Sequence, residues 1–200
     1  MKKIIGLCLI AVYFTACQSK TSYIDPNASN GKIVSLSVNQ QDWASAAQSM
    51  INSLINHPSI SKPGGPHVMM ISRISNKTDQ HIDTDLLIKK IRIALLKSGK
   101  IQVTTAIAHG GPEDASTKNI RKQLRDDDEF DKTTIAKKGT MKSAKFSLSG
   151  KIIQSKAIAG KVKQVTYTFQ LSLTDTKTGL AVWEEEVEII KQGKKSSVGW

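Results

Sequence analysis

Across residues 146–189 the apolar side chains fall on every second position. Phe146, Leu148 and Ile152 alternate with Ser147, Ser149 and Lys151; Val165, Tyr167, Phe169, Leu171 and Leu173 alternate with Thr166, Thr168, Gln170 and Ser172. Trp183, Val187 and Ile189 alternate with Glu184, Glu186 and Glu188. A period of two turns successive side chains to opposite faces, so three strands are expected, each apolar on one side and polar on the other. Ala159-Gly160-Lys161 and Thr176-Lys177-Thr178-Gly179 separate them as turns, which makes an antiparallel meander. Any fold open to this chain must seat that apolar face on a core.

The cover comes from earlier in the chain. Trp43, Ala46, Ala47, Met50, Ile51, Leu54 and Ile55 recur at three- and four-residue spacing, which predicts a core-facing helix from Gln41 that ends before His57-Pro58. A loop, Lys62-Pro63-Gly64-Gly65-Pro66, leads into a strand over 67–74, whose Val68, Met69, Met70 and Ile71 suit both faces of a central strand. Asp83 or Thr84 caps a second helix running to Lys97 and stopping at Gly99, followed by a strand over 101–107. Residues 116–138 predict one or two short surface helices around Asp126-Asp127-Asp128-Glu129. The sum is an α/β (α+β) fold: a single mixed sheet of about five strands packed with helices and ending in the three-strand meander.

The first residues carry a different kind of signal. Lys2 and Lys3 form a positive head, residues 4–14 an apolar run, and Thr15-Ala16-Cys17 a small-residue cleavage site ending in cysteine. This predicts a lipoprotein signal over 1–16, with Cys17 as the mature N-terminus carrying acyl chains such as palmitate. The run is too short to span a bilayer with stop-transfer flanks. Gln18 follows, with no Asp to retain the protein at an inner membrane, so the periplasmic face of an outer membrane is the expected address.

Residues 17–39 are rich in Ser, Thr, Asn and Gln and are expected to be a tether, with 40–200 as one globular domain; residues 33–38 could pair as an edge strand and shorten the free part. Cys8 leaves with the signal, so the exported domain has no disulfide and holds together by its core. The formal charge of +12 falls by two once Lys2 and Lys3 are removed. Such a surface suits lipid headgroups, wall polymers or an acidic protein face; nucleic acid is excluded by compartment.

Short motifs that resemble catalytic signatures fail on context. Ser59-Ile60-Ser61-Lys62 and Lys177-Thr178-Gly179 fit two of the three patterns of penicillin-recognising enzymes, but the S-x-N present, Ser37-Val38-Asn39, precedes both. Ser59 is expected in a Pro/Gly loop, and Lys177 to Gly179 in a hairpin turn. His109-Gly110-Gly111-Pro112 lacks the G-x-S-x-G of an esterase. His57, His67, His81 and His109 lack the spacing of metal ligands, and Gly99-Lys100 lacks the opening glycine of a phosphate loop, where Ala94 stands. No catalytic residue, cofactor or metal is therefore expected.

What is left is surface. On a helical wheel over 84–97, Leu87, Ile88, Ile91, Ala94 and Leu95 share the inner face, and Asp85, Lys89, Arg92 and Leu96 point outward with Ile93 beside them. Apolar residues next to basic ones mark that face as a candidate docking site. The polar side of the meander, with Ser149 and Lys151 among its rows, is the second candidate.

Several stretches taken together resemble the LpoB lipoproteins, outer-membrane activators of penicillin-binding proteins. They are Asp42-Trp43 opening the first helix, the strand over 68–74 running into Ser75-Asn76-Lys77-Thr78, the helix end Ile91-Arg92-Ile93-Ala94-Leu95-Leu96-Lys97-Ser98-Gly99-Lys100, and Thr178-Gly179 followed by Val182-Trp183. The resemblance implies a fold like the TolB N-terminal domain and a non-catalytic, monomeric regulator. Such a regulator binds the periplasmic part of a bifunctional class A penicillin-binding protein and stimulates peptidoglycan synthesis. The tether departs from the longer, Pro-rich one of some members. A lipoprotein that scaffolds a secretion or flagellar complex is the alternative from another class.

Overall fold

The computed structural model describes residues 35–62, 64–107 and 114–196. In chain order the elements are α1 (Gln40–Asn56), α2 (Pro58–Ser61), β1 (His67–Lys77), α3 (Thr84–Lys97), β2 (Ile101–Val103), α4 (Ser116–Asp126), β3 (Phe146–Ala159), β4 (Val162–Asp175) and β5 (Ala181–Lys194). The strands form one mixed sheet in the order β2-β1-β3-β4-β5. β1 runs parallel to both β2 and β3, and β3, β4 and β5 are antiparallel neighbours. This is the sheet that the alternation and the helical spacing predict.

Each helix begins and ends for a local reason. Asn39 Oδ1 accepts from the Gln41 and Asp42 amides at 2.9 and 3.1 Å, while Asp42 Oδ2 accepts from the Asn39 amide at 2.9 Å, a reciprocal cap that opens α1. Asp83 caps α3 through the Asp85 and Leu86 amides, and Gly99 ends it at φ 69°. The next residue, Lys100, donates its Nζ to Ile55 O at 2.9 Å, placing a cation on the carboxyl end of α1.

α1 and α3 pack on the apolar side of the sheet. Trp43 meets the rings of Tyr167 and Phe169 edge-on, with centroids 6.0 Å apart in both cases. Met69, Ile71, Ile74, Leu148, Ile152, Leu171 and Leu173 extend this core under the two helices. An irregularity between Ile71 and Ile74 explains why three buried residues of β1 do not follow strict alternation: the extra residue at Ser72-Arg73 returns Ile74 to the inner face.

Four expectations change. The strand expected over 101–107 is three residues long, because the chain leaves the sheet after Val103. Val68 and Met70 are half-buried, since neither α1 nor α3 covers their side. Ser59 lies in the short helix α2 rather than in a loop, since Pro58 supplies a preset first turn, His57 Nδ1 accepts from the Ser59 amide at 3.3 Å and Ile60 is buried beneath. Residues 35–38 form no strand pairing, yet Leu36 and Val38 are buried in the core, four and two residues before the expected start of the domain.

Candidate interaction surfaces

The stretch around Leu36 is held by three different parts of the fold: β4, the turn after β1, and β5. Tyr167 donates its hydroxyl to Leu36 O at 3.3 Å, and the Val38 amide donates to Gln80 Oε1 at 3.2 Å. Lys191 Nζ donates to Ser37 O at 2.9 Å and pairs with Asp42 Oδ2 at 2.6 Å. Leu36 itself sits against Gly193, where an added Cβ would meet its side chain at 3.2 Å. The Ser75-Asn76-Lys77-Thr78 stretch contributes from a distance. Asn76 accepts from the Thr78 amide and donates to Gln80 O at 2.7 Å, and this turn presents Gln80 to Val38. Residues 35–39 are therefore a strap across the inner face of β4 and β5.

The outward side of α3 carries Asp85, Lys89 and Leu96 in exposed positions, as the wheel places them. Arg92 is the correction, because it is 7% exposed. On the wheel it lies about 40° from Ile88, on the flank rather than the outer face, where a long aliphatic stem lies along neighbouring side chains. Burial lowers its guanidinium pKa from the usual value. Leu86 was missed: it is 44% exposed and shares the outer face with Ile93 at 43% and Leu96 at 47%. The seven-residue step from Leu86 to Ile93 was the available signal. Next to it, a cleft of about 240 Å³ lined by Trp43, His81, Ile82, Leu86 and Lys90 separates the starts of α1 and α3.

Ser149 and Lys151 lie on the other side of the sheet. Register puts Ser149 beside Ser172 and then Glu184, and Lys151 beside Gln170 and then Glu186. Ser172 donates to Glu184 at 2.9 Å and Gln170 to Glu186 at 3.0 Å, so this face is knitted by cross-strand polar pairs. Neither α1 nor α3 lies on it. The six candidate residues thus divide into two groups on opposite sides of the sheet, with Arg92 inside. No single partner surface contains them all.

The motifs with catalytic look-alikes resolve into local structure. Asp175 Oδ1 accepts from the Lys177 and Thr178 amides at 2.9 and 3.0 Å, and Gly179 takes φ 73°, so Lys177-Thr178-Gly179 is a hairpin turn. The Thr178 amide is the main cause of the lowered Asp175 pKa. His67 meets the Phe146 ring edge-on at 5.5 Å, and burial, then the charge of Lys145, lowers its pKa. Among the described residues no three His, Cys, Asp or Glu side chains cluster as a metal site. No helix among them is long and apolar enough to cross a membrane. Cys17 and His109 to Pro112 lie outside the described residues.

A family model described as the peptidoglycan-synthase activator LpoB matches residues 42–189, from the first turn of α1 into β5. Among solved structures, the LpoB C-terminal domain from Escherichia coli is 15% identical, with a TM-score of 0.46 over 74% of this chain and 98% of that one. The same domain from Salmonella enterica is 15% identical, with a TM-score of 0.45 over 74% and 98%. Lipoprotein GNA1162 from Neisseria meningitidis is 11% identical, with a TM-score of 0.38 over 67% and 88%. No curated protein sequence matches the chain.

Proposed function

We propose, from the premise that this chain belongs to the LpoB family of peptidoglycan-synthase activators, that it is a lipid-anchored regulator of a bifunctional class A penicillin-binding protein. The observation that carries the reading is the extent of the family match, which takes in nearly all of α1, β1 to β4 and most of β5 rather than an isolated motif. Cys17 carries the lipid, the periplasmic face of the outer membrane is the site of action, and the folded part binds the synthase as a monomer. Activation is allosteric. A bound regulator shifts its target toward the active state only as far as it binds that state more tightly, and tenfold requires about 1.4 kcal/mol of differential affinity.

The face we assign to the synthase is the outer side of α3, where Leu86, Ile93 and Leu96 form an apolar ridge flanked by Asp85 and Lys89. Apolar anchors within a charged rim are the usual composition of an energetically productive interface. The test uses residues 17–200 with Cys17→Ser, purified and added to a class A synthase with lipid-linked precursor. Direct binding and faster glycan polymerisation are expected. A protein that neither binds nor changes the rate ends this reading. Lys89→Glu with Leu96→Ser is expected to weaken binding roughly tenfold or more. If that variant binds normally, Lys151→Glu on the polar sheet face is the next variant, and loss of binding there moves the site.

A further inference from the structure

The end of the sheet where β3 turns into β4 is basic and apolar at once, and the strap leaves the fold at this same end. Residues 155–165 and 189–196 contain six lysines and no Asp or Glu. Lys156 and Lys191 meet carboxylates, those of Asp79 and Asp42. Lys161, Lys194 and Lys195 are exposed, and the Lys195 amide donates to Lys161 O at 2.8 Å, which closes β5 against the hairpin tip. Among these lysines stand Ile158, Val162 and Ile190, 58%, 47% and 55% exposed. A shallow hollow of about 820 Å³, lined by Lys161, Val162, Gln192, Lys194 and Lys195, lies between hairpin and strand end.

Leu36 fixes where the N-terminal segment departs. It sits on Gly193, which pairs with Lys163, which pairs with Ile158, so the strap crosses one row from the hairpin tip. Seventeen residues separate Cys17 from Ser35. Stretched to the limit of the backbone they reach at most about 60 Å.

We propose that this lysine-rich hairpin end is a membrane-contacting surface that takes the anionic headgroups of a phospholipid bilayer. Lysines near such a surface are each attracted by the headgroup charge, and their aliphatic stems lie along apolar neighbours while the ammonium groups stay at the interface. Ile158 and Val162 enter the headgroup layer alongside them. Covalent attachment through so few residues holds the domain beside the bilayer, so contacts too weak to hold a free protein suffice for an attached one. The orientation rests on Cys17 as the lipid-bearing residue; the attraction of the surface to lipid does not. Seated this way, the domain keeps β3–β4 on the bilayer while the opposite end of the sheet faces away from it.

The test is sedimentation of residues 17–200 carrying Cys17→Ser, which has no lipid, with two kinds of vesicle. One is phosphatidylethanolamine with roughly a quarter phosphatidylglycerol, and the other is phosphatidylcholine alone. Binding to the first and not the second is expected, and it should vanish in about 0.5 M salt. Lys161→Glu/Lys194→Glu/Lys195→Glu should reduce it roughly a hundredfold, Ile158→Ser/Val162→Ser should reduce it less, and Lys89→Glu should leave it unchanged, with circular dichroism checking each fold. Equal sedimentation with both vesicles, or an unaffected triple variant, overturns the proposal, as does capture by wall sacculi in place of vesicles. The same proteins are assayed for synthase stimulation in solution. Stimulation retained by a triple variant that has lost the vesicles supports the proposal, and a folded triple variant that loses stimulation but still sediments with the vesicles reassigns the patch to the synthase and overturns it. Vesicle binding without stimulation by the parent protein ends the activator reading and leaves this one standing.

Discussion

At Gly150 one methyl group is too many. A Cβ there would lie 2.8 Å from both the Gln170 carbonyl oxygen and Leu171 Cδ2, and backbone in mid-sheet cannot step aside. Gly150→Ala is expected to destabilise the domain by about 2 kcal/mol, read as a lower denaturant midpoint. His67 sets a pH dependence of known sign. Its folded pKa lies below the ordinary value of 6.5, so its stabilising contribution is present above that value and is lost as pH falls through the lowered one. Denaturation followed from pH 7.5 to 5 should show declining stability, and His67→Phe should flatten that part of the profile. Neither residue was legible beforehand. A glycine in an alternating strand and a histidine at a strand start look ordinary until their neighbours across the sheet are known. Arg92 was misjudged for the same reason, because a wheel ranks directions but does not show which flanks of a helix are covered.

Among the elements, the three strands of the meander and the two turns between them were legible, because alternation and turn chemistry agree locally, although β3 runs on to Ala159 and β5 to Lys194, beyond the alternation at Ile152 and Ile189. The strand from Ile101 was not: β1 runs on to Lys77, but the chain turns away from it after Val103, which the apolar residues up to Ile107 do not reveal. The strap was half legible: residues 33–38 stood out as a possible edge strand, but the burial of Leu36 and Val38 without strand pairing comes from Gly193, Tyr167 and Gln80 far along the chain. Its fastening makes a specific prediction. Lys191→Met removes the partner of Asp42 and the donor to Ser37 O, both partly buried. A loss of about 1–2 kcal/mol is expected, together with faster proteolysis within residues 35–39. Unchanged cleavage there would mean that Leu36, Val38 and the bonds from Tyr167 and to Gln80 hold the strap without Lys191.

For the molecule as a whole, the sequence already implied helices on one side of a half-apolar sheet, and it offered surface rather than a catalytic constellation. It could not say which surfaces share a side, because that follows from the crossover that brings β3 back beside β1. If the anchor acts as proposed, Cys17→Ala displaces the protein from the membrane fraction while thermal unfolding of the purified domain stays unchanged. The parallel pairing of β1 with β3 also governs when the chain can fold. Met70 waits for Ser147, Trp43 waits for Tyr167, and Ser53 waits for Glu185, which accepts its hydroxyl at 2.8 Å. These partners are far apart in sequence, so closing them is slow and comes after the local helices form. A chain ending at Asp175 is expected to stay largely unfolded by circular dichroism for lack of β5. If the protein is exported as proposed, a chain that crosses the membrane from its first residue cannot complete its core on the far side until β5 has come through.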